Sequence, residues 1–205
     1  NVEKMCEVAW NLGIKDLTVY AFSTENWKRS VAEVSGIFKL LVTYVNSDLR
    51  ELVENNVRVR VLGDYMKLPA DAVKSLERTL KDTENNTGLQ FNIALNYGGR
   101  DEIRRAVQAI SEKVQCGELA PEDITDEMIS DELTTGKLHA DVPDPELIIR
   151  TSGELRLSNF LLWQLAYSEF YFTPVAWPDF NKKELIKAIE KYNQRDRRYG
   201  GVKEE

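Results

Sequence analysis

The chain has 205 residues, 27 Lys plus Arg against 34 Asp plus Glu, and a net charge of −7. With 42% hydrophobic and 30% charged residues it has the balance of one folded domain. The acidic sum excludes a broad nucleic-acid face, and no apolar run approaches the roughly 20 residues of a membrane-spanning helix. Cys6 and Cys116 are too far apart in sequence to suggest a disulfide framework or a metal knuckle, so a reduced, cytoplasmic setting is expected.

Val2, Met5, Val8, Ala9 and Leu12 recur at helical spacing, and Gly13 stands where such a helix would stop. This opening reads as the second half of a helix, with an expected segment upstream. Leu17 to Phe22 is a short β-rich apolar run, the mark of a buried strand. A loop from Ser23 to Arg29 leads to a long helix over about 31–55, in which Val34, Ile37, Phe38, Leu41, Val42, Val45, Leu49 and Leu52 step by three and four. Ser30 and Glu33 form a capping box at its start. Val57 to Leu62 alternates as a half-exposed strand and stops at Gly63-Asp64. A helix is expected over 70–84, a turn over 85–88, a strand over 89–95 and a helix over 100–114. The acidic stretch 121–133 reads as another helix. Asp141 to Pro145 is a rigid connector. The remaining expectations are a strand over 146–150, a helix over 159–167, a strand over 169–172 and a last helix over 182–198. Strands separated by helices imply βαβ units. The predicted fold class is therefore α/β, a single domain over 1–205 with a central, mainly parallel sheet flanked by helices.

Ligands of open parallel sheets collect beyond the carboxyl ends of the strands, and three such ends carry unusual polar residues. In Arg150-Thr151-Ser152-Gly153-Glu154-Leu155-Arg156-Leu157-Ser158-Asn159, Ser158 is expected to cap the helix that follows. Two arginines beside a helix N-terminus would suit a doubly charged group such as a diphosphate; together they favour an anion site over a solvated loop. In Ser23-Thr24-Glu25-Asn26-Trp27-Lys28-Arg29, Trp27 is either a lid over a ligand or a ring packed on the next helix. Asn26 either positions substrate or shapes a turn. Asn96-Tyr97-Gly98-Gly99-Arg100 reads as a tight strand-to-helix turn. Glu169, set among Phe170, Tyr171 and Phe172, is a carboxylate in need of an arginine or a metal. His139 reads as an exposed residue.

The blocks Tyr20 to Arg29, Asn92 to Arg100 and Arg150 to Phe172, followed by Trp177-Pro178-Asp179-Phe180, resemble the cis-prenyltransferases, and most of all the bacterial undecaprenyl diphosphate synthases. The resemblance runs over essentially the whole chain. It implies a homodimeric, Mg²⁺-dependent transferase that condenses isopentenyl diphosphate onto farnesyl diphosphate in cis, making a long polyprenyl diphosphate. It also implies no nucleic acid, no transmembrane segment, and contact with a membrane surface through the lipid product. By resemblance Arg150, Arg156 and Ser158 bind the isopentenyl diphosphate, with Leu157 among them, and Glu169 helps hold Mg²⁺. Ser23, Thr24 and Glu25 line the substrate site, Trp27 and Arg29 belong to a mobile loop, and Asn26 assists proton removal. Ala21, Leu89, Phe91 and Ile93 are candidates for the wall of a tunnel around the growing chain.

Two features depart from the family. Its upstream Asp-Gly-Asn-Gly-Arg-Trp block, with the main catalytic Asp and the phosphate-binding segment, and a later Arg and His are not among these residues, which predicts a domain lacking its first strand. Leu155 stands where the family often has His or Lys. The competing expectation is a non-catalytic prenyltransferase-like subunit that stabilises an active partner. An unrelated nucleotide-binding protein is disfavoured because neither Gly-rich phosphate motif is present.

Overall fold

A computed structural model describes residues 1–195, and over 45–50 their backbone only. The first helix, α1 (Val2–Asn11), ends as its glycine predicts: Gly13 takes φ +76°. The Ile14 N–H reaches back to the Ala9 carbonyl at 3.0 Å and the Gly13 N–H to Trp10 at 3.0 Å, a Schellman close. Three parallel strands follow the predicted runs: β1 (Asp16–Ser23), β2 (Arg58–Leu62) and β3 (Gln90–Tyr97), in the order β1-β3-β2. Central β3 is buried at every position after the first, which is why its sequence does not alternate apolar with exposed polar residues; its two asparagines, Asn92 and Asn96, are buried as well. At the end of the ladder, β1 is only half-buried, and a bulge skips the exposed Ala21 between Tyr20 and Phe22.

The long helix α2 (Val31–Glu54) starts at the expected capping box: the Glu33 N–H donates to Ser30 Oγ at 3.3 Å and the Ser30 N–H to Glu33 Oε2 at 3.1 Å. Its Val34 and Phe38, with α3 (Ala70–Asp82), cover one sheet face and enclose Val57, Val59, Leu76, Leu89, Phe91, Ile93 and Leu95. Leu89, Phe91 and Ile93, offered as tunnel wall, are thus packed in this core, and Ala21 lies outside it. The side chains of Val45 and Leu49 lie outside the described residues. On the other face Leu62 and Ala94 pack with Ala140, Val142, Leu161 and Leu165, while α4 (Gly99–Gln115) packs on α5 (Asp126–Glu132). The expected helix over 121–133 is broken: Pro121–Asp123 makes a 3-10 turn, and Thr125 restarts the chain as an N-cap, its Oγ1 accepting from Met128 N–H at 3.2 Å.

The last strands, β4 (Leu147–Arg150) and β5 (Glu169–Phe172), are also parallel but pair only with each other, so the five strands of the described residues form two sheets rather than one. Helix α6 (Lys182–Asn193) is capped by Asn181; the expected continuation through 196–198 lies outside the described residues. Among the described residues no helix is long and apolar enough to cross a membrane.

The helix expected over 159–167 is absent; the segment is a chain of turns. Its apolar content does bury Leu161 and Leu165, but Ser158, Asn159 and Leu161 take φ of +52°, +63° and +45°, which no right-handed helix permits. Asn159 is committed elsewhere. Its carbonyl accepts from Gly99 N–H at 2.8 Å and its Oδ1 from Arg100 N–H at 2.9 Å. These are the first two unsatisfied donors of α4, whose own N-cap, Gly98, has no side chain to offer. Ser158 therefore caps no helix, and the anion site expected at a helix N-terminus there does not form.

Candidate active site

Residues Thr24–Lys28 form a 3-10 turn directly after β1. The Ser23 N–H donates to Asn26 Oδ1 at 2.9 Å, so Asn26 shapes the turn. Trp27 is not an open lid. Its ring packs edge-on to Phe22 at 5.2 Å and tilted on Phe38 of α2 at 5.5 Å. Its Nε1 donates to Asn96 Oδ1 at 2.7 Å, leaving the side chain partly exposed. Arg29 is exposed beside the capping box of α2.

The Glu25 carboxylate accepts from Asn159 Nδ2 at 2.8 Å and from Thr24 Oγ1 at 3.2 Å. Burial pushes its pKa up, but hydrogen bonds from Asn159, from its own backbone N–H, and from Ser23 and Thr24 outweigh that and hold it below the ordinary carboxylate value. Tyr20, half-buried and near the Glu25 charge, has its phenol pushed up to about 12 by partial burial first and that charge second. The turn comes so close to the β3–α4 corner that a Cβ on Gly98 would lie 2.6 Å from Thr24 Oγ1 and 2.8 Å from Asn159 Nδ2. Glycine is needed there for space, not for its φ.

Arg150 ends β4 half-buried, and its Nε is shut away from solvent without a hydrogen-bond partner. The chain then turns through Ser152 and Gly153 at φ +65° and +69°, fastened by their N–H groups to the carbonyls of Val175 and Thr173, each at 2.9 Å. Arg156 is exposed and ion-paired with Glu154; Ser158 is exposed, Leu157 packs towards Tyr20 and Phe160, and Leu155 is 77% exposed. The fold brings the 23–27, 98–100 and 159 segments into contact through hydrogen bonds, with Arg150 to Ser158 leading into Asn159.

Glu169 is not part of that cluster. It pairs with Leu147 at the start of the β4–β5 ladder while Arg150 pairs with Phe172 at its end, roughly 10 Å along the strands. Its carboxylate is ion-paired with Arg195, whose Nη2 also donates to the Phe170 carbonyl at 3.1 Å. Among the described residues no three His, Cys, Asp or Glu side chains gather to hold a metal ion. His139 is exposed, as expected, at a cavity of about 550 Å³ that none of the predicted site residues lines.

Two residues of this neighbourhood were not expected from sequence, Asn96 and Asn159, both with positive φ. The only signal for either is that asparagine tolerates this backbone better than most residues. A third, Glu102, is 1% exposed and sits behind the corner. It accepts from Tyr97 Oη, from Gln164 Nε2 at 3.0 Å, and from Thr134 through N–H at 3.1 Å and Oγ1 at 2.8 Å.

In this α/β fold, arginines and amides gather in the loops at the carboxyl ends of parallel strands, where ligands of such sheets bind. Residues 1–200 match the family described as "Putative undecaprenyl diphosphate synthase", and the chain belongs to this cis-prenyltransferase family. An isoprenyl transferase of Streptococcus thermophilus is 54% identical over 201 residues, covering 98% of this chain and 81% of the relative. That of Streptococcus agalactiae is 53% identical, with 98% and 80% covered. Among solved structures, lavandulyl diphosphate synthase from Lavandula x intermedia, in complex with dimethylallyl diphosphate, superposes with a TM-score of 0.93 at 37% identity, covering 98% of this chain and 85% of that one. A probable undecaprenyl diphosphate synthase from Campylobacter jejuni gives 0.84 at 34%, with 98% and 90% covered. The chain is a prenyl-chain-condensing transferase of this family.

Proposed function

We propose that the chain condenses isopentenyl diphosphate onto an allylic diphosphate, farnesyl diphosphate, in cis and repeatedly, to make a long polyprenyl diphosphate. The observation that carries this is Arg150: its buried Nε lacks a hydrogen-bond partner, as do those of Arg58, Arg60 and Arg105, but Arg150 opens the loop that carries Arg156 and Ser158, where an anion would complete it. Arg156 and Ser158 lie on the same turn, and Arg156 is held only by an exposed pair with Glu154, a contact worth little that a diphosphate readily displaces. With no helix at this point, the anion is bound by guanidinium groups and the Ser158 hydroxyl rather than by a helix dipole.

In each condensation the allylic carbon–oxygen bond breaks and its electron pair leaves with the diphosphate. The new carbon–carbon bond forms at that carbon, and the isopentenyl unit gives up a proton. Cationic donors stabilise the charge that grows on the departing diphosphate. Ser23, Thr24, Glu25, Trp27 and Arg29 face the substrates, and Asn26, fixed by the Ser23 N–H, assists the proton's departure. Glu169, the carboxylate that the resemblance assigns to Mg²⁺, would help hold the ion, which would neutralise charge on the diphosphates. The homodimer and a reduced, cytoplasmic setting belong to the same proposal. Tyr167 at 87% exposure and Leu155 at 77% leave apolar side chains open beyond the two ends of the β4–β5 pair, and both cysteines are free.

The test is incubation of the full-length protein with farnesyl diphosphate, labelled isopentenyl diphosphate and Mg²⁺, followed by solvent extraction. Label in an extractable polyprenyl product is expected. Its absence, with a protein verified as folded, overturns the proposal.

A further inference from the structure

The Thr24–Lys28 turn is held from both sides by asparagines that belong to other parts of the chain. On one side Trp27 Nε1 donates to Asn96 Oδ1 at 2.7 Å, and on the other Asn159 Nδ2 donates to Glu25 Oε1 at 2.8 Å. Glu25 and Trp27 are the two sequence neighbours of Asn26. Each asparagine spends its other amide atom on a rigid element: Asn96 Nδ2 donates to the Asp64 carbonyl just past β2 at 2.8 Å, and Asn159 Oδ1 accepts the Arg100 N–H at the start of α4 at 2.9 Å. Both residues sit at positive φ, +47° and +63°, which aims the amides towards the turn. Asn96 is only 5% exposed, so its amide has little water to turn to. The missing Cβ of Gly98 gives independent support, since the close approach of Thr24 and Asn159 depends on it.

We infer that Asn96 and Asn159 are positioning residues: by gripping Glu25 and Trp27 they fix the Asn26 amide between them. The grip is a property of the unliganded protein; its consequence for turnover rests on the transfer reaction proposed above. Neither asparagine need touch a substrate.

The grip is measured by hydrogen exchange over residues 23–29 in the protein without substrate. Glycine accepts the backbone conformation of both sites, so Asn96→Gly and Asn159→Gly remove the amide without adding strain. Each is expected to speed exchange in this segment by about two- to tenfold, the range set by one net hydrogen bond. Because Asn159→Gly also uncaps α4, a second pair separates the two roles. Asn159→Asp keeps an acceptor for the Arg100 N–H but sets a carboxylate against Glu25, and should open the turn. Adding Glu25→Gln restores a donor–acceptor pair and should close it again. Unchanged exchange in both glycine variants, or no rescue by Glu25→Gln, would overturn the grip.

For catalysis, Asn96→Gly should lower kcat several-fold with a smaller change in KM for isopentenyl diphosphate. A freed turn with kcat unaltered overturns the positioning role. Lack of turnover by the unaltered protein would instead defeat the proposed reaction, while the exchange data still decide the grip.

Discussion

Strand β3 and the segment 150–168 are built on opposite principles. β3 is buried on both faces, and its conformation follows from apolar side chains that must leave water. The 150–168 segment is equally rich in apolar residues towards its end, yet its path is set by polar groups. Arg150 holds a buried Nε without an acceptor, Ser152 and Gly153 bond the 173–175 strand exit, and Asn159 caps a helix that is not its own. Hydrophobic burial is indifferent to direction, so it holds a strand but does not choose among turns. Hydrogen bonds with fixed geometry do choose, and the residues proposed to bind diphosphate lie where they govern.

The contrast can be broken from the apolar side first. Phe22→Ala removes a 1%-exposed ring shared by the sheet, Phe38 and Trp27, and should cost about 3–5 kcal/mol in denaturant unfolding. The two regions meet at Glu102, whose carboxylate takes donors from Tyr97 in β3, from Gln164 in the turns and from Thr134. Glu102→Ala leaves these donors without an acceptor, at about 1–3 kcal/mol for each one not rescued by water; the unfolding midpoint should fall well below that of Glu102→Gln. A smaller change sharpens the point about turns. If 159–167 were helical, Asn159→Ala would be more stable than Asn159→Gly by about 1 kcal/mol. At φ +63° the order reverses, with alanine the worse by about 1–2 kcal/mol.

Acid should act on the polar region selectively. Glu25 is held below its ordinary pKa, so its contribution is present above the usual carboxylate range and is lost as pH falls through the lowered value. Its partners Asn159, Thr24 and Ser23 do not titrate there, and Tyr20, pushed up to about 12, stays neutral. Exchange protection of the 23–29 turn should therefore be flat from about pH 6 to 8 and fall below about pH 4, which amide exchange corrected for intrinsic rates will show. The smallest effect concerns the cysteines. Burial, with Glu3 adding to it, pushes the Cys6 thiol up to about 12, whereas Cys116 is exposed. Iodoacetamide at pH 8 should label Cys116 and spare Cys6, as read by peptide mass spectrometry.

This division also explains what could be read in advance. The apolar periodicities of α1 to α4 and the runs of β1 to β3 locate those elements to within a residue or two, because burial creates the pattern. The Ser30–Glu33 box and Gly13 mark helix ends for local reasons that sequence carries. The run Phe160 to Tyr167 gave the same apolar signal without a helix, since nothing in it reveals that Asn159 is bonded to Gly99 and Arg100 some 60 positions away. The separation of β4–β5 from the larger ladder was hidden in the same way. At the site, the motif segments were legible, but not that Trp27 and Glu25 are held by Asn96 and Asn159, nor that Glu169 faces Arg195 at the far end of its ladder.

The central claim is that the turn after β4 binds a diphosphate through Arg150. Calorimetric titration of isopentenyl diphosphate into the unaltered protein and into Arg150→Ala tests it directly, with matching melting temperatures as the control for folding. Losing a charge-assisted hydrogen bond predicts a Kd raised by about 10- to 150-fold. Equal affinities in the two proteins would contradict it.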